Sequence, residues 1–355
     1  MAVGASGGHV IPALQVARTL RQEDHAIQFV GPKGMMEPLL MREGFSLIPL
    51  PARGLTSLSP WTVIHFGWTL MRAMAASLKL LNRQRPDVVM GFGSYGAFPM
   101  MCAAALLGYP TIIHEQNVIP GRANRWLAGW VSRVAVSFPE TQRYFPQRKT
   151  MVTGCPCRMD TLSFSRETLL KNFRLDPGRS TLLILGGSQG SHRINVECLR
   201  VISLLQEKIP IQVIHVTGSK DYLGVDQSRR RFPIPYRVYP FLEDLEVAYK
   251  VADLVIARSG AVTISEMFQF QKPCVLIPYP QAQGHQKENA MILCRAGVAQ
   301  LIEEKDLSSE RLRDILWEML KDPLRWKGHY TRMSRPERDA SALLAEEALR
   351  LGLCT

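Results

Sequence analysis

The sequence predicts an α/β protein of two domains, each built on a parallel sheet, and three observations point to this class. Short β-branched runs alternate with longer helical stretches and tend to end in glycine, which is typical of parallel sheets flanked by helices. This scheme of strand, glycine-rich loop and helix restarts in the second half of the chain. A length of 355 residues also exceeds what one compact core usually supports, so two domains are expected.

The first half of the chain supplies an N-terminal domain, for which we take residues 1–154. A short apolar fragment, Met1–Val3, precedes the first glycine loop and is shorter than the ~5-residue mode of β-strands. Strands are predicted at Ile27–Val30, Asp87–Met90, Thr111–His114 and Val134–Val136, and helices at Pro12–Arg21 and Trp61–Arg83.

The pattern pauses in the Cys- and Pro-rich segment 154–158, so a second domain is expected over residues 155–335. Its strands are predicted at Thr181–Leu185, Gln212–Val216, Leu254–Ala257 and Cys274–Ile277. Residues 336–355 hold a last helix, Glu337–Leu351. Its apolar stripe, formed by Leu343, Leu344, Ala348 and Leu351, predicts packing against a core.

Composition narrows the class of partner and the compartment. The formal net charge of +12 and the sequence pI near 9.5 indicate an anionic partner. The seven cysteines are scattered and never spaced C-x-x-C, which disfavours disulfides and zinc and favours a reducing cytoplasm. The first glycine loop begins within four residues, leaving no room for a signal peptide in this sequence. The best apolar run, Pro99–Gly108, is about half of the ~18–20 residues that span a bilayer, so membrane contact is expected to be peripheral.

The positive charge is concentrated in the first domain. Residues 1–150 hold 15 basic against 7 acidic residues, a net of +8. The segment from Trp61 to Arg85 combines Trp, Phe and Leu with Arg72, Lys79 and Arg83 and contains no acid. Such a segment is typical of a helix at an anionic membrane surface, and core packing is the alternative. The sequence contains no nucleic-acid-binding motif, so no nucleic acid is expected among the partners.

Four glycine-rich loops stand between a predicted strand and a helix, where free N–H groups and the helix dipole attract anions. They span residues 4–9, 91–96, 186–191 and 258–263. None has the P-loop pattern, and none has the dinucleotide fingerprint with its downstream acid. The loops therefore predict a diphosphate site that belongs neither to a P-loop hydrolase nor to a dehydrogenase.

Two polar clusters add chemistry to these loops. His114, Glu115, Gln116 and Asn117 follow an apolar strand, at the end of a parallel sheet where ligands bind. Glu266 lies three residues after Thr263, where it would either bind ribose hydroxyls or complete a capping box. There is no Asp-x-Asp motif, and the histidines do not pair at ligand spacing. We therefore expect a transferase without a metal.

In order and approximate spacing, these motifs resemble the MurG-type N-acetylglucosaminyltransferases of glycosyltransferase family 28, over residues 2 to about 302. The resemblance implies the GT-B fold, with two Rossmann-like domains facing a central cleft and the last helix returning to the N-terminal domain. It also implies transfer of GlcNAc from UDP-GlcNAc, with inversion and without a cofactor. The acceptor would be the C4 hydroxyl of undecaprenyl-pyrophosphoryl-MurNAc-pentapeptide (lipid I), the product lipid II, and the location the cytoplasmic face of the bacterial inner membrane.

The resemblance assigns roles to matching residues, and the catalytic base is His9 or Glu115. His9 is favoured because an imidazole of ordinary pKa, ~6.5, accepts a proton at neutral pH. Tyr95 and Asn124 fall on the acceptor side. The residues implied for UDP-GlcNAc are Ser6, Gly7, Gly8, Asn117, Arg158, Ser188, Leu242, Ala261, Val262, Thr263, Ile264, Ser265, Glu266 and Gln286.

Two positions depart from the family pattern, and three other functions stay open. Cys155 replaces the usual Asn before Pro-x-Arg, and His285 stands where some relatives carry a second glutamine. The alternatives on the same fold are a UDP-GlcNAc 2-epimerase and another lipid glycosyltransferase, because fold does not fix function. A membrane-bound scaffold without activity is the alternative outside enzymes.

Overall fold

Two separate parallel sheets organise the chain in a computed structural model. The model describes residues 1–34, 37–51, 59–159, 163–187, 189–282, 284–332 and 338–353, without the side chains of Pro60 and Val63. One unit comprises Met1–Cys157 and Pro336–Thr355, and the other comprises Arg158–Arg335.

The sheet of the first unit is built around the fragment Met1–Val3. Its strands are β1 (Phe29–Gly31), β2 (Leu47–Pro49), β3 (Val89–Gly91), β4 (Thr111–Glu115), β5 (Arg133–Val136) and β6 (Thr150–Val152). Ala2 forms parallel bridges to Val30 and Gly91 and so joins β1-β2 to β3-β4-β5-β6. Its N–H donates to the Met90 carbonyl at 2.7 Å, and its carbonyl accepts from Phe92 N–H at 2.9 Å. With this fragment as first strand, the order is the 3-2-1-4-5-6 of Rossmann sheets, continued by one edge strand.

Six α-helices of the first unit lie among the described residues. They are α1 (Gly7–Gln22), α2 (Glu37–Arg42), α3 (Pro60–Gln84), α4 (Ser94–Leu106), α5 (Arg122–Leu127) and, near the end of the chain, α14 (Ala340–Gly352). Short 3-10 helices cover Pro139–Tyr144 and Gln147–Lys149. The described part of the chain contains no helix long and apolar enough to cross a membrane.

Helix α14 packs on α1 in the core of the first unit. Leu344 and Ala348, which are 0% and 1% exposed, lie in one buried cluster with Val10 and Leu14 of α1. Glu347 Oε1 accepts from Arg133 Nε at 2.9 Å, which ties the helix to β5 as well. The predicted start of this helix, Glu337, lies outside the described residues, and the observed helix begins at Ala340.

Two helices of the first unit have a proline at their sixth residue. Pro12 lies inside α1 and Pro99 inside α4. Since proline has no N–H, the carbonyl four residues earlier, at Gly8 or Tyr95, receives no helical hydrogen bond from that position. The predicted helix start at Pro12 is therefore wrong: the glycine loop leads directly into α1 at Gly7.

The second unit contains a six-stranded parallel sheet in the order β12-β11-β10-β7-β8-β9, again a Rossmann order. Its strands are β7 (Ser180–Leu185), β8 (Ile211–Val216), β9 (Tyr236–Tyr239), β10 (Leu254–Ala257), β11 (Cys274–Leu276) and β12 (Ala299–Leu301). Its helices are α6 (Arg166–Asn172), α7 (His192–Leu205), α8 (Tyr222–Arg229), α9 (Leu245–Val251), α10 (Ala261–Phe270), α11 (His285–Arg295), α12 (Ser309–Lys321) and α13 (Pro323–Gly328). Short 3-10 helices cover Glu304–Asp306 and His329–Arg332.

Candidate functional site

The candidate site of the first unit lies where the strand order of its sheet reverses, between Met1–Val3 and β3. Ligands of open parallel sheets bind at this point, beyond the carboxyl ends of the strands. The loop after Met1–Val3 leads into α1, and Phe92 and Gly93 lead from β3 into α4. Both are glycine loops that the sequence singles out.

His9 lies in the first turn of α1 and is held from two sides. Its Nδ1 is 2.7 Å from Ser6 Oγ, on the residue that precedes the helix. A Cβ atom placed on Gly93, whose φ is +82°, would lie 3.3 Å from His9 Cδ2 and 3.4 Å from Asn124 Nδ2 and Gln116 Oε1. A side chain at position 93 would therefore displace this group. His9 is half-buried, and burial lowers its pKa to about 4, so the ordinary value of ~6.5 expected from the sequence does not hold.

Glu115, at the end of β4, is 2% exposed and accepts four hydrogen bonds. Its Oε1 accepts from the backbone N–H of Asn117 at 3.0 Å and from Asn117 Nδ2 at 3.2 Å. Its Oε2 accepts from Gly121 N–H at 3.1 Å and from Asn124 Nδ2 at 2.9 Å. Burial raises the Glu115 pKa above its ordinary value, although these hydrogen bonds oppose the shift. The carboxylate thus fixes the loop that connects β4 to α5.

The side-chain oxygen of Asn124, next to this carboxylate, has no hydrogen-bond donor among the described residues. Its Nδ2 donates to Glu115 and to the His114 carbonyl, at 3.2 Å. Its Oδ1 is buried and has no partner among the described residues. Buried polar atoms are nearly always paired, so an unmet one calls for a ligand or a water. Gln116 closes the group, since its Nε2 donates to the Phe92 carbonyl at 3.0 Å.

The remaining candidates of the first unit lie around this group. Gly7 is buried in the first turn of α1, whereas Ser6 and Gly8 are exposed. Asn117 is half-buried, and its carbonyl accepts from Thr141 Oγ1 at 3.2 Å. Tyr95 is 41% exposed, on the first turn of α4.

In the second unit, Glu266 is bound from two directions. This carboxylate is 2% exposed, and its Oε1 accepts from Arg158 Nη1 at 2.8 Å. Its Oε2 accepts from the Tyr249 hydroxyl at 2.9 Å, and Arg158 Nε also lies 3.4 Å from Glu246. The residue preceding α10 is Gly260, so Thr263 is not a helix cap and the capping-box alternative is wrong. A carboxylate offers about four acceptor positions, so Glu266 retains capacity for ribose hydroxyls.

The glycine loops of the second unit are tightly packed around Arg258. This guanidinium is 9% exposed and donates to the carbonyls of Ile277 and Pro278, both at 3.1 Å, and to Ser191 Oγ at 2.7 Å. It also forms an ion pair with Glu304. Its charge is therefore used within the protein.

Of two serines on these loops, Ser259 and Ser188, only Ser259 is among the described residues. Ser259, directly before Gly260 and α10, is fully buried, and its hydroxyl has no partner among the described residues. Ser188, which the resemblance assigns to phosphate, lies outside the described residues.

The other donor candidates occupy α10, α11 and the segment after β9. Ala261, Val262 and Ile264 are buried in α10, and Ser265 Oγ donates to the Ala261 carbonyl at 3.0 Å. Thr263 is half-buried. Leu242 is half-buried after β9, and Gln286 Oε1 accepts from Tyr279 N–H at 2.9 Å. Arg158 and Glu266 thus form an ion pair, whereas Leu242 forms no hydrogen bond among the described residues.

Tyr249, which binds Glu266, and the pair formed by His192 and Asp221 are absent from the sequence predictions. His192 Nδ1, at the start of α7, lies 3.1 Å from Asp221 Oδ1. Tyr249 is one apolar residue in an amphipathic helix, and Asp221 is 29 residues from His192, so no local pattern marks either.

No group of three or more His, Cys, Asp or Glu side chains that could hold a metal occurs among the described residues. The metal independence inferred from the sequence stays a prediction.

Family models match both halves of the chain. The model described as glycosyltransferase family 28 N-terminal domain matches residues 1–136, and the one described as glycosyltransferase family 28 C-terminal domain matches residues 181–347.

Relatives and a solved structure agree with these models. A protein of Thermodesulfovibrio yellowstonii named UDP-N-acetylglucosamine--N-acetylmuramyl-(pentapeptide) pyrophosphoryl-undecaprenol N-acetylglucosamine transferase is 39% identical over 91% of this chain and 90% of its own length. A protein of the same name from Halothermothrix orenii is 36% identical, with the same coverage. The crystal structure of Acinetobacter baumannii MurG superposes with a TM-score of 0.75 at 26% identity, over 98% of each chain. The predicted class, GT-B with two Rossmann-like parallel-sheet domains, is confirmed.

Proposed function

The chain belongs to glycosyltransferase family 28, and from this premise we propose that it transfers GlcNAc from UDP-GlcNAc to lipid I, undecaprenyl-pyrophosphoryl-MurNAc-pentapeptide. The acceptor atom is the C4 hydroxyl of the MurNAc sugar, the product is lipid II, and the reaction inverts the anomeric carbon without a metal. The names of relatives at 39% and 36% identity support the two substrates. The observation that carries the proposal is the group of His9, Gln116 and Asn124 around Gly93, at the switch point of the first sheet.

His9 is the proposed catalytic base. With a proton on Nδ1 donated to Ser6 Oγ, the Nε2 lone pair is free to accept the proton of the acceptor hydroxyl. The acceptor oxygen then bonds to the anomeric carbon, and the bond from that carbon to the diphosphate oxygen breaks, with its electron pair leaving on UDP. Glu115 has both oxygens engaged by N–H donors, so its role is to position Asn117 and Asn124.

The departing diphosphate requires stabilisation of its developing charge. Arg158 and Arg258 are each matched by buried or partly buried acids, so neither supplies a free positive charge. The proposed donors are therefore backbone N–H groups at the starts of α7 and α10 of the second unit, together with Ser188. Glu266 binds the ribose, Leu242 contacts the uracil through its backbone, and Gln286 binds hydroxyls of the GlcNAc.

One face of α3 provides the proposed membrane contact. Trp61, Ile64, Trp68 and Met71 follow one another at three- and four-residue spacing and are 58–82% exposed. Residues at this spacing share one helix face, which packing on the core would have covered. Arg72, Lys79 and Arg83 are exposed on the same helix. Apolar and basic side chains together match an anionic bilayer surface, so we place the protein peripherally at the cytoplasmic face of the inner membrane.

A transfer assay distinguishes this function from its alternatives. The purified protein is incubated with radiolabelled UDP-GlcNAc, a short-chain analogue of lipid I and EDTA, with His9→Ala as control. The expected result is labelled disaccharide product that is undiminished by the chelator and nearly lost in the variant. An epimerised nucleotide sugar would show a UDP-GlcNAc 2-epimerase, and the absence of any product would support either another lipid glycosyltransferase or a scaffold. Loss of product on chelation would contradict metal independence.

A further inference from the structure

An apolar groove of about 310 Å³ lies on the first unit, between α3, α4 and α5. Its lining residues are Phe66, Leu70, Tyr95, Phe98, Pro99, Arg122, Ala123 and Trp126. Trp126 is 76% exposed, and the Phe66 ring meets Tyr95 edge-on at 6.4 Å. Exposed aromatic side chains around a concave surface mark a binding site rather than ordinary surface.

The groove and the His9 site are formed by the same two segments. Tyr95 lines the groove, and Gly93, two residues earlier, forms the floor of the site. Ala123 lines the groove, and its neighbour Asn124 points Nδ2 to Glu115 within the site. The groove and the site therefore adjoin along the chain at the starts of α4 and α5.

The charge of the groove indicates what kind of ligand fits. Arg122 is the single charged residue among the described residues that line it, and it is exposed. All other lining side chains are aromatic or aliphatic. A matching ligand thus has an apolar chain joined to an anionic group that lies near Arg122.

We propose that this groove binds the isoprene units next to the diphosphate of the lipid acceptor, an inference that rests on the proposed function. Such an acceptor has three parts in fixed order: an apolar chain, a diphosphate and a sugar. Neighbouring residues provide three matching surfaces, namely the aromatic groove, Arg122 and the His9 site. A volume near the lower end of the ~300–1,000 Å³ typical of ligand pockets holds only the first few units, so the rest of a long chain stays in the bilayer.

The test compares two water-soluble acceptors that share the diphosphate, sugar and peptide and differ only in the lipid. One carries a methyl group and the other a short prenyl chain, and kcat/KM is measured for each without membranes or detergent. We expect the wild type to favour the prenyl acceptor about tenfold, equivalent to ~1.4 kcal/mol. Trp126→Ala and Phe98→Ala should bring this ratio close to one while leaving transfer to the methyl acceptor unchanged.

Trp130→Ala is the matched control. Trp130 is 67% exposed, follows α5, the helix that contains Trp126, and does not line the groove. It should keep the wild-type ratio. Equal kcat/KM for both acceptors in the wild type, or a full preference retained in Trp126→Ala, would overturn the groove assignment. Failure of the wild type to use either acceptor would instead overturn the proposed function. An unchanged thermal midpoint of Trp126→Ala, whose side chain is 76% exposed, shows that its ratio reports binding.

Discussion

Glu115 accepts four hydrogen bonds, whereas the Nδ1 of His9 faces the hydroxyl of Ser6. Protonating Glu115 would weaken contacts that hold the β4–α5 loop, because each of its oxygens faces two N–H donors. Protonating His9 at Nε2 breaks no such contact. At the residue scale, the two candidate bases are therefore separated by their hydrogen-bond partners.

Substitution should separate the same two residues. His9→Ala should lower kcat by about 10²- to 10⁴-fold, the range for loss of a general base, with an unchanged thermal midpoint. Glu115→Gln should lower the thermal midpoint, unlike His9→Ala. The amide NH₂ of the new glutamine would face N–H donors, at a cost of ~1–3 kcal/mol in folding free energy. Steady-state kinetics and thermal unfolding measure the two effects. Near-normal turnover of His9→Ala would remove it from the base role.

The pH profile provides a second test of His9. A base acts when unprotonated, so activity is present above its pKa and is lost as the pH falls through it. Burial lowers the His9 pKa to about 4, so kcat/KM, which reports the free enzyme, should stay level from neutral pH to about pH 5. The measurement is kcat/KM between pH 4.5 and 8, with circular dichroism at each pH to show that the protein is folded. An acid limb centred at the ordinary histidine value of ~6.5 would contradict the lowered pKa.

The sequence indicates candidate site residues but not the partners that hold them. His9, Glu115 and Asn124 all stand on segments with a visible polar or glycine pattern. That Arg158 pairs with Glu266, 108 residues away, depends on how the second unit folds and has no local signature. Tyr249 could not be found because a buried tyrosine in an amphipathic helix looks like any core residue.

At the element scale, the sequence predicts the central strands of each sheet and does not predict the edge strands. Central strands such as β4 and β7 are covered on both faces, so they are apolar runs that the sequence displays. The four strands without a prediction, β2, β6, β9 and β12, are the sheet edges. Edge strands are short and carry partly exposed residues, so they lack such a run. The predicted strand Ile27–Val30 is shifted to Phe29–Gly31.

Helix α14 should contribute to stability through its buried face. Leu344 is 0% exposed against α1, so Leu344→Ala should destabilise the first unit by about 2–5 kcal/mol. Leu353→Ala is the control, because Leu353 is 88% exposed just after the same helix and its loss should cost less than about 0.5 kcal/mol. Hydrogen exchange with mass spectrometry should show lost protection in α1 and α14 only for Leu344→Ala. Equal effects of both variants would contradict this packing role.

At the scale of the whole molecule, positive charge and exposed aromatic residues are unevenly distributed. Residues 1–150 carry a net charge of +8, and three of their basic residues, Arg72, Lys79 and Arg83, are exposed on α3. This distribution connects the basic composition with one surface of one unit. On the proposed function, a membrane-bound acceptor accounts for the four large apolar side chains that α3 exposes in a chain without a membrane-crossing helix among its described residues.

Vesicle flotation tests this surface. Reversal of Arg72, Lys79 and Arg83 to Glu should reduce binding to anionic vesicles at least 100-fold, since each basic residue near the surface contributes ~1 kcal/mol. Transfer to a soluble acceptor should persist. The control reverses three exposed basic residues of the second unit, Lys208, Lys220 and Arg231. Flotation that depends neither on anionic lipid nor on the α3 charges would contradict the proposed contact.

The two helices that begin at the His9 site each lack one main-chain hydrogen bond near their start. Pro12 and Pro99 have no N–H, so the carbonyls of Gly8 and Tyr95 lose their usual helical donor. The backbone at each helix start therefore depends more on contacts from outside the helix than it would without proline. Two such contacts are those between Ser6 and His9 and between Gln116 and Phe92.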